Sequence, residues 1–167
     1  MRTIQTKQQQ KETIGHAGHI ALVHKWSTRG YGSSRISFFD SRDPETKHKE
    51  CKRGGYDRFG AVLGDVIEEL FPAELNKLAR KVCKGKRLDT RKQSETFCGL
   101  FYNAKEKRAY VDGACGTSSM GWILAAIGYE LISCGSDGSR GYTGSDFYIL
   151  RPLTKGYIKD RIRKLKL

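Results

Sequence analysis

The stretch GGYDRFGAVLGDVIEELFP, residues 54–72, decides the fold because it predicts an amphipathic helix in the middle of the chain. At about 100° per residue, one face of this helix collects the apolar side chains Phe59, Val62, Leu63, Val66, Ile67 and Leu70. The acidic side chains Asp65, Glu68 and Glu69 fall on the opposite face. Gly60 and Gly64 lie at the border, where the absence of a side chain lets another backbone approach. We therefore expect the helix to pack its apolar face on a core.

The glycines of this stretch raise the alternative of a phosphate-binding loop. Such a loop follows G-x-x-x-x-G-K-[ST], but Ala61 and Val62 stand where the lysine and the hydroxyl residue would be. The segment GYGSSR, residues 30–35, likewise ends on Arg35 instead of the last glycine of G-x-G-x-x-G. Asp57 is instead predicted to cap the helix, and Pro72 to begin a second helix that ends at Gly85.

The rest of the chain predicts an α+β fold. Strands are expected at 19–27 and 34–40, in TFCGLFYN and RAYVDG, and in YELISC and DFYILR, with a polar loop over 40–55. The segment SSMGWILAAIG predicts a third helix with Ser118 or Ser119 as its N-cap and Gly128 as its stop. The order is ββααββαββ, a single domain with an antiparallel sheet and about three helices. We expect a flexible basic arm at 1–18, the α+β domain at 19–151 and a basic tail at 152–167.

Composition restricts the class of protein. Five cysteines without a CxxC pair among 167 residues favour a reducing cytoplasm over a disulfide framework or a zinc site. No apolar run approaches the roughly 20 residues that cross a bilayer, and the N-terminus lacks the apolar middle of a secretory signal. We therefore expect a cytoplasmic protein that does not enter a membrane.

The net charge of +13 is concentrated in two segments. Residues 80–92, RKVCKGKRLDTRK, and residues 151–167, RPLTKGYIKDRIRKLKL, each hold seven basic side chains and one acidic one. Clustered cations are the usual footprint of a protein that binds a polyanion. The predicted nucleic-acid contacts are Arg80, Lys81, Lys84, Lys86, Arg87, Arg91, Lys92, Lys155, Lys159, Arg161, Arg163 and Lys164. The alternative is a solubilising surface and a loose tail.

Three segments, GGYDRFGAVLG, FCGLFYN and YVDGACG, resemble in this order small proteins carried by bacteriophages and integrated elements. The resemblance covers roughly residues 20–135 and rests on glycine and aromatic positions. It implies a mobile-element origin and a bacterial host cell, and it supplies no catalytic residues. Small basic proteins of this kind include nucleic-acid binders and inhibitors of host defence, such as anti-CRISPR proteins.

Catalytic patterns are weak. Cys115 precedes a predicted helix and would need a histidine base, but a tight turn explains it as well. His16, His19 and His24 are spaced awkwardly for a shared metal, because His19 and His24 point to opposite faces of a strand. Asp57 and Asp112 are candidate magnesium ligands of a nuclease, although no D-x-D or E-x-K spacing supports them. We assign no catalytic residue, cofactor or metal ligand.

We therefore expect a basic, non-enzymatic accessory protein that binds nucleic acid or a nucleoprotein complex and inhibits a host defence nuclease such as a CRISPR effector. The alternatives are a metal-dependent nuclease and a protein–protein inhibitor of an acidic partner. Tyr31 and Trp26, near Arg29 and Arg35, are further candidates for stacking on exposed bases. Core packing is the more common environment of a tryptophan in a strand.

Overall fold

The computed structural model describes residues 19–40, 42, 49–55, 58–84, 91–112, 117–138 and 141–153. The predicted arm at 1–18 and the tail from residue 154 onward lie outside this description. The described strands are β1 (Ile20–Ser27), β2 (Ser33–Asp40), β3 (Lys49–Gly54), β4 (Arg91–Gln93), β5 (Leu100–Asn103), β6 (Arg108–Val111), β7 (Tyr129–Asp137) and β8 (Thr143–Pro152). The described helices are α1 (Phe59–Leu70), α2 (Pro72–Val82) and α3 (Thr117–Ala126).

Two antiparallel sheets organise these elements, which confirms the predicted α+β class. The five-stranded sheet has the order β3-β2-β1-β8-β7, and the three-stranded sheet has the order β4-β5-β6. The turn AKEK joins β5 to β6 as predicted, and Lys107 closes it with a φ of 52°. Each sheet turns one face toward the helices; on the other face of the five-stranded sheet Ala21 and Val23 of β1 are also buried, whereas Lys25 is exposed.

Contacts with the core identify the inner face of the large sheet, because the first five residues of β1 are all buried and show no alternation. Ile20, Leu22 and His24 of β1 lie on the helix-facing side, and their neighbours across the sheet include Ile36 of β2 and Leu150 of β8. Helix α1 packs its apolar face there, and its residues Val62, Leu63, Val66 and Ile67 are fully buried. The predicted amphipathic helix is confirmed.

Glu68 departs from the helical-wheel prediction. Its carboxylate accepts a hydrogen bond from the backbone N–H of Val111 on β6, at 2.6 Å, and its side chain is only 20% exposed. The small sheet covers this side of α1, so Glu68 is partly buried. Asp65 is 27% exposed, which leaves Glu69 as the most exposed of the three acidic residues. Burial raises the pKa of Glu68. The hydrogen bond from the Val111 N–H and the charge of the Arg108 guanidinium oppose this upward shift.

Strands β3 and β4 were not predicted, because both are edge strands with polar sequences. β3 lies within the expected polar loop, and five of its six residues are exposed; all three residues of β4 are exposed. An edge strand needs no buried face, so its sequence lacks the alternation that reveals an inner strand. The order of the described elements is therefore βββααβββαββ.

Helix ends agree with the predictions in part. Pro72 begins α2, and Gly128 follows α3 with a φ of 92° and donates its N–H to the Ala125 carbonyl at 3.1 Å. The N-cap prediction for α3 is wrong, because the helix begins at Thr117 and its first turn includes both serines. At α1 the N-cap position is Arg58, which makes no side-chain capping bond; Asp57 and Gly85 lie outside the described residues.

Candidate nucleic-acid interface

Five of the predicted nucleic-acid contacts lie in described segments. Arg80 and Lys81 are in the last turn of α2, Lys84 follows it, and Arg91 and Lys92 belong to β4. All five are exposed. The other seven fall outside the described residues: Lys86, Arg87, Lys155, Lys159, Arg161, Arg163 and Lys164.

The end of α2 and strand β4 meet at one corner of the molecule. Cys83 is the C-cap of α2, and its Sγ lies 3.6 Å from the carbonyl oxygen of Leu100 on β5. The backbone N–H of Ser94, which follows β4, donates a hydrogen bond of 2.8 Å to the same carbonyl. Burial raises the pKa of the Cys83 thiol to about 11, and the nearby ammonium of Lys92 opposes that effect. We call Arg80, Lys81, Lys84 and Lys92 the basic corner. The fold thus brings together cations from both ends of the basic segment.

Beside the basic corner, the outer face of the small sheet carries arginine side chains stacked on aromatic rings. The guanidinium of Arg91 lies 4.4 Å from the ring centre of Phe101 and 4.6 Å from that of Tyr110. The guanidinium of Arg108 lies 4.8 Å from the Tyr110 ring. We call these four residues the Arg–Tyr surface. Both arginines are exposed, and both rings are partly exposed.

Strand alternation places these four side chains together. On β5 and β6, Leu100, Ala109 and Val111 point into the core, where each is at most 6% exposed. Their neighbours along the strands therefore point outward. Asn103 pairs with both Arg91 and Arg108, which sets the two arginines on either side of the central strand. The outer face is consequently rich in cations and π-systems and poor in aliphatic side chains.

The charges on this face are only partly neutralised. Arg108 has Glu68 at 3.9 Å, and the Tyr110 hydroxyl donates a hydrogen bond to the Glu106 carboxylate. Arg91 forms no ion pair with any residue that the structure describes. A guanidinium stacked on rings keeps its N–H groups at its edge, where they can bind phosphate oxygens.

Sequence reasoning found Arg91 but missed Phe101, Arg108 and Tyr110. Their alternation with the core residues of LFYN and RAYV was a usable signal, because it predicts that Phe101 and Tyr110 share a face. Contact of Arg91 with both rings was not predictable, since β4 was not recognised as a strand.

The other sequence candidates fall elsewhere. His24 is 4% exposed, lies 3.3 Å through Nδ1 from the Asp146 carboxylate, and packs on the Phe59 ring at 4.6 Å. Its Nε2 forms no hydrogen bond with a described residue. Burial lowers the pKa of His24, and the hydrogen bond and charge of Asp146 oppose that shift. His24 is therefore a core residue held by a carboxylate.

The remaining chemical candidates are not brought together. Asp112 is exposed after β6 and donates its N–H to the Gly99 carbonyl at 2.7 Å. His19 precedes β1, whereas His16, Asp57 and Cys115 lie outside the description. Across the described segments, no three His, Cys, Asp or Glu side chains are grouped as a metal site requires.

Comparisons with known proteins add no assignment. No family model, curated protein or solved structure matches this chain. The resemblance to bacteriophage and integrated-element proteins therefore stays a prediction. None of the described helices has both the length and the apolar character needed to cross a membrane.

Proposed function

We propose that this protein is a non-enzymatic accessory protein of a mobile element that binds single-stranded nucleic acid through the Arg–Tyr surface and the basic corner. The observation that carries the proposal is the stacking of Arg91 on both Phe101 and Tyr110, at 4.4 and 4.6 Å, on an exposed sheet face. Aromatic and guanidinium planes offer stacking positions for bases, and the guanidinium edges offer contacts to phosphates.

A single strand fits this surface better than a duplex does. The Arg–Tyr surface is a sheet face whose stacking groups are rings and guanidinium planes, and only unpaired bases expose their faces to such groups. The basic corner adds four cations that can bind phosphates, and one of them, Lys92, is next to Arg91 along β4. The Arg–Tyr surface supplies stacking contacts to bases, and the basic corner supplies contacts to phosphates. Both kinds of contact are typical of proteins that bind single strands without sequence preference.

A purely structural explanation predicts different behaviour. Charged edge strands protect sheets from pairing with other chains, and cation–π contacts stabilise a fold by about 0.5–1 kcal/mol at exposed sites. On that explanation Arg91 and Arg108 would support the small sheet without any ligand. Their replacement would lower the melting temperature and leave no specific binding to lose.

The test is fluorescence anisotropy with labelled single-stranded DNA, single-stranded RNA and duplex DNA over a range of salt concentrations. Replacing Arg91 and Arg108 with glutamine should reduce the salt slope by about 0.7 for each lost contact with a single strand. Tyr110→Ala should weaken binding by about 1–3 kcal/mol per stacked base, whereas Tyr110→Phe keeps the ring and should bind like the wild type.

Lys49→Gln provides the matched control, because it removes one exposed cation from a strand of the other sheet. Circular dichroism should confirm that every variant is folded. Wild-type affinity and salt slope in the Arg91/Arg108 double variant would refute the proposed surface. Weakening by Lys49→Gln as large as that by Arg91→Gln alone would mean that general charge, and not this surface, attracts the polyanion.

Inhibition of a host defence nuclease is the purpose that the mobile-element resemblance implies. Affinity capture from element-bearing cells, with and without nuclease treatment, separates the partners. If the wild type retains a nucleoprotein complex that the Arg91/Arg108 variant does not retain, the result supports this purpose. Retention of an acidic protein by both forms, independent of nucleic acid, would support the protein–protein inhibitor instead.

A further inference from the structure

The face of the five-stranded sheet that lies away from α1 carries a row of three cations that sequence inspection does not reveal. Arg35 of β2 pairs directly with Lys25 of β1 on one side and with Lys52 of β3 on the other. Cross-strand partners point their side chains to the same face, and like charges directly opposite each other destabilise a sheet. All three side chains are exposed. The row concentrates positive charge on this face of the sheet.

The carboxylates near this row neutralise it only in part. Arg35 has Glu50 at 4.0 Å, a pair in which both side chains are close to half-exposed. Within the described part of the chain, neither Lys25 nor Lys52 has an ion-pair partner. Asp137 lies on β7, separated from Lys25 by strand β8 and its residue Ser145.

A cleft of about 390 Å³ lies over the same face and includes two cations of the row. Its lining is Lys25, Trp26, Ser27, Ser33, Arg35, Asp137, Thr143, Gly144 and Ser145. Four of these residues carry hydroxyl groups, which together with Lys25 and Arg35 form a set of hydrogen-bond donors. Volumes of this size are typical of small-molecule sites, which begin at about 300 Å³.

An exposed aromatic ring lies on the same face of the sheet, outside the residues that line the cleft. Tyr31 is 81% exposed, and its ring covers Gly54, where an added Cβ would be only 3.2 Å from the Tyr31 Cε1. Gly54 pairs with Ser33 of the cleft and stands two residues beyond Lys52, about 7 Å along the strand. The ring therefore lies on the face that carries the cations, with its outer side available for stacking.

We propose that this cleft binds a nucleoside phosphate. Lys25 and Arg35, assisted by the surrounding hydroxyl groups, bind the phosphate, and the Tyr31 ring stacks on the base. The shared chemistry is a phosphate ester next to a planar base, which a free nucleotide and one unit of a single strand both supply. The site belongs to a different sheet from the Arg–Tyr surface and does not depend on the function proposed for that surface.

The test uses the full chain and three probes: ATP, inorganic phosphate and a short oligothymidylate. Isothermal titration measures the affinity of wild type, of the Lys25→Gln/Arg35→Gln double variant, and of Tyr31→Ala. The double variant should bind ATP or the oligonucleotide at least about tenfold more weakly, since charge-assisted hydrogen bonds are lost. Tyr31→Ala should bind either base-containing probe about fivefold more weakly while leaving phosphate unaffected.

The controls keep this site distinct from the Arg–Tyr surface. The Arg91/Arg108 variant should keep its ATP affinity, and Lys49→Gln should bind every probe like the wild type. The charge-removing double variant should fold at least as well as the wild type, because it relieves repulsion between directly opposed cations.

Absence of saturable binding of the wild type to both ATP and the oligonucleotide would overturn the site. Saturable ATP binding that the double variant weakens identifies a free nucleotide as ligand. Weakening confined to the oligonucleotide identifies a strand unit. Unchanged affinity of the double variant for both base-containing probes would overturn the site. An equal loss of phosphate and ATP binding in Tyr31→Ala would overturn the stacking role.

Discussion

Replacing Gly144 with alanine should destabilise the protein through a clash with one identified ring. Gly144 on β8 pairs with Trp26 on β1, and the indole lies across the glycine. A Cβ at Gly144 would be 2.3 Å from Cζ2, 2.5 Å from Cε2 and 2.8 Å from Nε1 of Trp26. Ordinary contact begins near 3.4 Å, so the ring must retreat by about an ångström.

Overpacking of this kind lowers the free energy of unfolding by about 1–3 kcal/mol. For a chain of this length each kilocalorie lowers the melting temperature by about 2–4 °C, so we expect a fall of about 2–12 °C. Urea denaturation gives the free energy, and calorimetry gives the melting temperature. Gly138→Ala is the control, because nothing lies within 4 Å of a Cβ at that position.

A double-mutant cycle isolates the ring as the cause. In a Trp26→Ala background the clash is absent, and Gly144→Ala should then be neutral or stabilising by up to about 1 kcal/mol, since alanine restricts the unfolded chain. The interaction energy between the two positions should be about 1–3 kcal/mol. The same cost of Gly144→Ala in both backgrounds would refute the assignment to Trp26.

Three further substitutions test other contacts. Burial lowers the pKa of His24 below its ordinary 6.5, so the unfolded chain binds the proton at a higher pH than the folded protein does. The free energy of unfolding should therefore fall as the pH drops through about 6.5. His24→Gln should reduce this pH dependence in urea titrations. Gly121→Ala, in exposed open space within α3, should raise the free energy of unfolding by about 0.5–1 kcal/mol, and a lower melting temperature would contradict this. Gly64→Leu should lower stability by about 1–3 kcal/mol because Gly64 is buried in α1; unchanged melting with lost binding would instead indicate a ligand role.

The sequence predicted the inner elements of the fold because burial imposes a period on them. β1, with its first five residues buried, and α1, with seven buried residues in twelve, show the apolar patterns that a core requires. The hairpin of β5 and β6 was equally visible, since core residues alternate with outward ones on both strands. These elements determined the α+β class.

The edge strands and the cross-strand pairing of their side chains could not be predicted from the sequence. β4 has no buried residue and β3 places only Cys51 against the core, so neither strand shows an alternation of apolar and polar residues. Without β3, Lys52 could not be placed opposite Arg35; without β4, Arg91 could not be placed over Phe101 and Tyr110. Charge counting along the chain found the segment at 80–92 and had no means to find a row of cations drawn from three separate strands.

The arrangement of the cations is a stronger indication of function than their number. A solubilising surface can hold excess positive charge anywhere, and dispersing it lowers the mutual repulsion. Here Lys25, Arg35 and Lys52 are direct cross-strand neighbours, and Arg91 and Arg108 share one tyrosine ring. The opposed cations repel one another, and Glu50 beside Arg35 and Glu68 beside Arg108 offset that repulsion only in part. Both sheets carry cations beside an aromatic ring, partly exposed at Tyr110 and 81% exposed at Tyr31, a combination that solubility alone does not require and that the two proposed sites use.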